Sequence, residues 1–190
     1  DNSVTFNAAI YRINWEGIPV SIFAPSCGAS FLFNAGQSKS EGIELEAQAQ
    51  VTDNLRLGIS ASYGEATLTE DAASLGSRGD NLPGSADYNM TVDLEYKFNL
   101  GEFDAFARMD YSYLSEYYHN VAEIGLASGG YSQVNLKAGM AIHQVDVDLY
   151  INNLTNADDF TWVETTFAGL SNRAYRLRPR TVGLNFSYHF

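Results

Sequence analysis

Few residues of this chain have the type and spacing needed for catalysis or metal binding. The three histidines, His119, His143 and His189, include no pair at helical or hairpin ligand spacing, so we expect no metal site. Asp146 and Asp148 could act as a pair of carboxylates, but such neighbours are more often hydrogen-bonded wall residues. No glycine loop leads from a strand into a helix, and no serine sits in a nucleophile elbow. We therefore expect no enzyme activity and no cofactor.

Basic residues are concentrated near the end of the chain, where four of the 11 fall within eight positions: Arg173, Arg176, Arg178 and Arg180. One interpretation is a clamp for lipopolysaccharide phosphates, because arginine binds phosphate through two parallel hydrogen bonds. The alternative is ion pairing with the acidic neighbours Asp158, Asp159 and Glu164. The net charge of −12 argues against a nucleic-acid partner, and the single cysteine, Cys27, provides no disulfide framework.

Four aromatic or histidine side chains are candidates for ligand contact: Tyr117, Tyr118, His119 and Trp162. They fall in segments without strand periodicity, where they could line a ligand vestibule. The tyrosines could equally belong to an aromatic girdle at a membrane surface.

The elements that position these residues are predicted by strict alternation of apolar and polar side chains, which is the period of a β-strand. In the last ten residues Val182, Leu184, Phe186, Tyr188 and Phe190 alternate with small or polar residues. The same pattern predicts about eight strands, near 3–13, 42–51, 55–64, 87–98, 102–114, 131–142, 144–152 and 181–190. The sequence contains no run of about 18 apolar residues, so no transmembrane helix is predicted.

The connections between these strands alternate in length. Short ones lie at 52–54, 99–101 and 143–144, and long ones at about 14–40, 65–86, 115–130 and 153–178. Soluble sheets rarely carry so many long loops, whereas outer-membrane barrels have short periplasmic turns and long extracellular loops. The sequence therefore favours an all-β, antiparallel transmembrane barrel over a soluble β-sandwich. The C-terminus then lies on the periplasmic side.

Charged residues occupy the polar face of the predicted strands. We expect Glu44, Glu46, Asp93, Glu95 and Asp148 to face a hydrated lumen, with Arg56, Arg108 or Lys97 among their neighbours. We expect Val182, Leu184, Phe186 and Tyr188 to face lipid.

Four stretches resemble the C-terminal part of TonB-dependent outer-membrane receptors, and together they extend the resemblance over essentially the whole chain. They are NAGQSKSEGIELE at 34–46, GDNLPG at 79–84, LYINNLTN at 149–156 and RPRTVGLNFSYHF at 178–190. The motifs are modest individually and specific in this order. The resemblance implies that residues 1–190 supply the last eight or so strands of a barrel of about 22 strands.

The resemblance also implies a function and a set of partners. Such receptors sit in the bacterial outer membrane and import scarce ligands, such as a siderophore, cobalamin or a saccharide, with energy passed on by TonB. The implied partners are lipid and lipopolysaccharide, the plug and upstream strands, the TonB complex through a TonB box in the N-terminal part, and the barrel assembly machinery. Which ligand is transported stays open.

The ending resembles the assembly signal of this family, carried by Gly183, Phe186, Tyr188 and Phe190. The alternative is an ordinary edge strand with an aromatic end. A glycosylation pattern at Asn153–Thr155 is instead expected to end a strand, with asparagine side chains capping free backbone groups.

Two other function classes would share this strand pattern. A self-contained eight-stranded barrel with a structural or adhesion role would pair the strand at Val4–Ile10 directly with Val182–Tyr188. A barrel enzyme would need a catalytic triad, which the sequence does not offer. A receptor segment predicts instead that both edges of the sheet pair with strands outside 1–190, since an unpaired backbone group in the bilayer costs several kcal/mol.

Overall fold

The computed structural model describes residues 3–24, 26–34, 36–72, 76–121, 123, 125–166 and 171–190. These residues form the strands β1 Val4–Glu16, β2 Pro19–Ala24, β3 Ala29–Asn34, β4 Gln37–Thr52, β5 Leu55–Leu68, β6 Tyr88–Leu100, β7 Phe103–Leu114, β8 Tyr131–Ile142, β9 Val145–Asn152, β10 Phe160–Thr166, β11 Ser171–Arg176 and β12 Thr181–Tyr188. No helix in the described part is long and apolar enough to cross a membrane.

Eight of the strands form one antiparallel sheet in the order β1-β4-β5-β6-β7-β8-β9-β12. The predicted antiparallel barrel segment is confirmed, and each strand of this sheet pairs with its neighbours in the predicted order. The prediction of strand-free loops at 14–40 and 153–178 is wrong, because each contains a two-stranded hairpin, β2–β3 or β10–β11. At 19–34, β-branched and aromatic residues flank a turn that ends at Gly28, whose φ of 67° suits glycine.

One face of the sheet is apolar and exposed. The residues expected to face lipid are 62%, 61%, 65% and 56% exposed: Val182, Leu184, Phe186 and Tyr188. The register continues this face across the sheet, since Leu184 lies opposite Leu149 and Leu149 opposite Ala138. Among the described residues no second sheet covers this face, so the prediction that these side chains point outward is confirmed.

Aromatic side chains border the apolar face at both ends. At one end Tyr63 and Tyr88 have ring centroids 4.8 Å apart, and at the other Tyr96 and Phe98 are 5.9 Å apart. Tyr88 and Tyr96 are eight residues apart on β6, which is about 27 Å along a strand. At a strand tilt of about 40° this gives a band about 20 Å high, close to the apolar band of outer-membrane barrels.

The strands extend past this band at the long-loop end. There Lys39 and Glu41 on β4 and Glu65 on β5 occupy the same face, beyond Ile43 and Tyr63. On this face, charges therefore appear where β4 and β5 run beyond the predicted strand ranges 42–51 and 55–64.

The opposite face carries the predicted charged wall. Arg56 Nη2 lies 3.5 Å from Asp93 Oδ2 and 4.0 Å from Glu95 Oε2, and Lys97 Nζ lies 3.8 Å from Glu95 Oε1. The neighbours predicted for Asp93 and Glu95 are therefore confirmed. Asp148 pairs instead with Lys137, at 2.9 Å, because Lys137 lies on the adjacent strand β8.

The sheet is open. β1 and β12 stand at its two ends, and no ladder joins them within the described residues. The alternative of a closed eight-stranded barrel is therefore not the structure adopted, and each edge strand has one side unpaired by the described chain.

Candidate ligand-binding site

The connections at the long-loop end pack on one another. Leu68 and Ala72, at the end of β5 and just after it, form a small buried core with Val121 from the β7–β8 connection, and Leu82 packs against it. Asn81 Nδ2 donates a hydrogen bond to Glu123 Oε1 at 2.8 Å. The β5–β6 and β7–β8 connections therefore support one another rather than projecting separately.

Three of the four predicted vestibule residues come together. The rings of His119 and Trp162 are 4.0 Å apart, and Tyr117 meets His119 edge-on at 5.1 Å. His119 Nε2 lies 2.8 Å from the hydroxyl of Ser128, which is fully buried and accepts a hydrogen bond from Val163 N at 2.9 Å. This cluster joins the β7–β8 connection to the β10–β11 hairpin and leaves Trp162 44% exposed.

The fourth residue, Tyr118, lines an acidic cavity of about 190 Å³ that Tyr117 also borders. The acidic residues of this cavity are Asp87, Glu116 and Glu123. Its hydroxyl donates to Glu116 Oε1 at 3.0 Å, which raises the pKa of the Tyr118 phenol. Burial, together with the negative charges of Glu65 and Glu123, raises the pKa of the Asp87 carboxyl.

The four arginines of the C-terminal cluster have different contacts. Arg176 forms an ion pair with Asp158, Nη1 to Oδ2 2.7 Å, and lies 4.6 Å from the centroid of the Phe160 ring. Arg180 Nη1 donates to the Leu154 carbonyl at 3.3 Å. The ion-pairing alternative thus holds for Arg176 with Asp158, whereas the side chain of Glu164 lies outside the described residues.

The remaining two arginines lie in different surroundings. Arg173 is exposed on β11. Arg178 contributes to the lining of an open cavity at the long-loop end of the lumen face, of about 590 Å³. Six of the polar residues around this cavity are Gln133, Asn135, Tyr150, Asn152, Arg176 and Arg178. The first four were not predicted as site residues, because in the sequence they are merely the polar half of two alternating strands.

Asn153 connects this cavity to the strands. It is fully buried at a φ of 54°, a left-handed conformation that asparagine tolerates. Its Nδ2 donates to the carbonyls of Ala157 at 2.7 Å and Arg178 at 2.8 Å, and its Oδ1 accepts from Ala157 N at 2.9 Å. The prediction that this asparagine caps backbone groups is confirmed.

The residues of the predicted assembly signal divide between the two faces of β12. Phe186 and Tyr188 lie on the apolar face, and Phe190 meets Tyr188 edge-on at 5.2 Å. Gly183 lies on the lumen face opposite Tyr150, whose ring occupies the space that a side chain at position 183 would fill.

The remaining candidates for chemistry lie in the wall. Asp146 Oδ2 is 2.7 Å from His189 Nε2, and Asp148 pairs with Lys137, so each carboxylate has a basic partner of its own. Among the described residues no group of three or more histidine, cysteine or acidic side chains could hold a metal ion.

Comparison with known proteins extends these observations. Residues 1–154 match the family model described as "TonB dependent receptor-like, beta-barrel". No curated protein matches the chain. Among solved structures, the ferric yersiniabactin uptake receptor FyuA from Yersinia pestis has a TM-score of 0.80 at 21% identity, covering 98% of this chain and 27% of FyuA.

Two further structures give the same result. The siderophore receptor PiuA from Acinetobacter baumannii has a TM-score of 0.72 at 24% identity, and the match covers 97% of this chain and 26% of PiuA. The ferric-catecholate import receptor Fiu from Escherichia coli K12 has a TM-score of 0.70 at 20% identity, and the match covers 100% of this chain and 26% of Fiu. The chain thus spans about a quarter of the receptors it resembles. It belongs to the family of TonB-dependent receptor-like β-barrels.

Proposed function

We propose that this chain is part of the barrel wall and the extracellular surface of an outer-membrane receptor that imports a scarce ligand with energy supplied through TonB. The observation that carries the proposal is the open eight-stranded sheet, apolar on one face and charged on the other, in a chain that matches the receptor family model over residues 1–154. Barrel receptors of this family reside in the outer membrane.

A ferric chelate is the ligand class we propose. The solved structures similar to this chain include receptors for ferric yersiniabactin and ferric catecholates. These structures resemble the chain in fold, so the ligand class is proposed separately from the transport function. The aromatic cluster of Tyr117, His119 and Trp162, with Tyr118 on the neighbouring cavity, would contribute to the vestibule through which the chelate enters.

The orientation we propose puts the short turns and the C-terminus in the periplasm. Support comes from the uneven connections, since the packed loops all lie at one end of the sheet and the short turns at 53–54, 101–102 and 143–144 lie at the other. The plug would then meet the charged lumen wall. Glu44 and Glu46 on β4 face the lumen without an ion pair among the described residues, so a basic side chain of the plug suits them.

Two surface roles also remain proposals. Arg173 and Arg180 are both exposed, so each suits contact with a lipopolysaccharide phosphate. Arg176 and Arg178 line the lumen-side cavity instead. For assembly, Gly183, Phe186, Tyr188 and Phe190 would be read by the insertion machinery.

The transport proposal is tested by iron uptake. A strain lacking the gene would be complemented with the wild-type receptor or with Trp162→Ala, and uptake of ⁵⁵Fe from a panel of chelates would be measured with and without TonB. We expect uptake that requires both the receptor and TonB, and a reduction by Trp162→Ala. Equal uptake of every chelate with and without the receptor would contradict the proposal.

A further inference from the structure

We propose that Ser128 is a positioning residue of the long-loop end: its buried hydroxyl holds a bulge of β10 in place and thereby fixes where Trp162 is presented. The inference rests on the proposed function for one point, namely that Trp162 meets the transported ligand. The position of Trp162 itself follows from geometry and is measured without transport.

The bulge in β10 determines the face on which Trp162 lies. In the β10–β11 ladder Phe160 lies opposite Arg176. The next pair is Trp162 with Tyr175, which leaves Thr161 as an extra residue. Directly opposed residues share a face of a sheet, and successive residues of one strand alternate between faces. The bulge therefore places Trp162 on the face of Tyr175, whereas regular alternation would put it on the face of Phe160.

The edge of β10 that faces away from β11 is bonded to the β7–β8 connection. Gly129 N donates to the Phe160 carbonyl at 3.0 Å, and Val163 N donates to the Ser128 hydroxyl at 2.9 Å. These two bonds lie on either side of the bulge. Val163 is only 3% exposed, so removal of the hydroxyl leaves its N–H without a partner in a buried place.

Ser128 is itself held by the same segment. It is fully buried, and its N donates to the Tyr117 carbonyl at 2.9 Å while Tyr117 N donates to the Ser128 carbonyl at 2.8 Å. The Tyr117 hydroxyl donates in turn to the carbonyl of Thr161 at 3.3 Å, inside the bulge. The bridge between Tyr117 and Ser128 and the bulge of β10 are therefore fixed relative to one another.

The Ser128 hydroxyl also bonds the ring that packs on Trp162. Ser128 Oγ lies 2.8 Å from His119 Nε2, and the rings of His119 and Trp162 are 4.0 Å apart. Because Val163 N can only donate, the hydroxyl accepts there, and its own proton is available for Nε2. One hydroxyl thus contacts both the strand that carries Trp162 and the ring against which Trp162 packs.

This arrangement prepares Trp162 for contact with a ligand. Trp162 is packed against His119 on one side and still 44% exposed. A ring that is already held by its strand and its neighbour loses little side-chain entropy when a ligand contacts its free surface. Ser128 is fully buried and cannot touch a ligand, so its effect on binding must pass through Trp162 and His119.

The position of Trp162 is measured by ¹⁹F NMR of the full receptor labelled with 5-fluorotryptophan, in which the resonance missing from Trp162→Phe identifies the residue. Ser128→Ala removes the hydroxyl, and Ser115→Ala is the matched control. The Ser115 hydroxyl also accepts from a backbone N–H, that of Tyr88 at 3.0 Å, but this bond leads to β6 rather than to β10. Heat-modifiable gel migration verifies that each variant is folded.

We expect Ser128→Ala to shift or split the Trp162 resonance and Ser115→Ala to leave it in place. In the wild type, residue-resolved hydrogen exchange should show the Val163 amide protected like the amides bonded within the β10–β11 ladder. This second measurement needs no substitution, so it tests the inference even if Ser128→Ala fails to fold. An unmoved Trp162 resonance in Ser128→Ala, equal shifts in the two serine variants, or a rapidly exchanging Val163 amide would overturn the inference.

A double-mutant cycle tests whether Ser128 acts through Trp162. Uptake of ⁵⁵Fe is measured from ferric citrate, a ferric tris-catecholate and ferrioxamine B. We expect Ser128→Ala to raise the chelate concentration for half-maximal uptake about 3- to 10-fold in the wild type, as loss of one hydrogen bond would, and less than about twofold in the Trp162→Ala background. Equal effects in the two backgrounds would overturn the inference.

The two kinds of measurement separate the inference from the transport proposal. An unmoved Trp162 resonance together with TonB-dependent uptake would overturn the inference and support transport. A Trp162 resonance that moves in Ser128→Ala alone, without uptake of any of the three chelates, would support the positioning role and contradict the proposed import of a ferric chelate.

Discussion

The ring of Tyr150 on β9 lies across Gly183, the residue paired with it on β12, so that a Cβ at position 183 would collide with the ring and its hydroxyl. The same relationship recurs on the lumen face where Asp93 lies over Gly58, and where Asp148 and Phe106 lie over Gly139. These glycines make room for large side chains on the adjacent strand, which lets a crowded polar wall form without strain.

Substitution of Gly183 by alanine tests this packing. The added methyl group must displace the Tyr150 ring, and overpacking of this kind costs about 1–3 kcal/mol. Unfolding in urea from lipid vesicles should show the loss, and Tyr150→Ala in the same chain should restore most of it. Asn185→Ala, on the same face of β12, is the control. An unchanged stability of Gly183→Ala, or no recovery in the double variant, would contradict the account.

Replacing Asn153 by alanine should destabilise the long-loop end of the sheet. The change leaves the amide N–H of Ala157 and the carbonyls of Ala157 and Arg178 without their partner in part-buried surroundings, at up to about 1–3 kcal/mol for each group that water does not reach. Thermal unfolding of the purified receptor measures the effect, with Asn152→Ala, an exposed neighbour, as the control. Equal midpoints for the two variants would argue against the cap.

A charge introduced on the apolar face should impair insertion, whereas the same charge one residue along should not. Arginine at a lipid-facing midplane position costs about 2–4 kcal/mol. Refolding into lipid vesicles should therefore suffer from Leu184→Arg and tolerate Asn185→Arg, which points to the lumen. If the two variants insert equally well, the assignment of faces is wrong.

The packing around Asp87 should depend on pH. Because the pKa of this carboxyl is raised by burial and by Glu65 and Glu123, the folded state holds its proton more tightly than the unfolded state. Its contribution to stability is present at pH below the ordinary aspartate pKa and is lost as pH rises through the raised value. Hydrogen exchange of residues 76–87 should therefore speed up as pH rises through this window, after correction for intrinsic exchange.

The variant Asp87→Asn should remove that pH dependence and protect the segment at neutral pH, because the neutral amide has no charge to desolvate. Asp53→Asn, in the turn at the opposite end of the sheet, is the control. Identical pH profiles for wild type and Asp87→Asn would show that this carboxyl does not govern the packing of the loop.

The sequence predicted the eight main strands and their faces because alternation is a local property, visible in a stretch such as Val182–Tyr188. It predicted that Asn153 caps backbone groups because the side-chain chemistry of asparagine is local too. It did not predict the β10–β11 hairpin, which is anchored by Ser128, 35 residues before Val163. Nor did it predict the cavity around Arg178, whose lining comes from the five strands β8 to β12 and from the segment that joins β11 to β12.

The intact mass of the outer-membrane polypeptide that contains this sequence tests the central claim most directly, namely that these eight strands are one part of a larger transport barrel. The open edges β1 and β12, and a chain that covers 27% of FyuA, predict a mass several times the 20.9 kDa of this chain. Mass spectrometry of the polypeptide extracted from native membranes should find it. A mature protein of about 20.9 kDa would contradict the account.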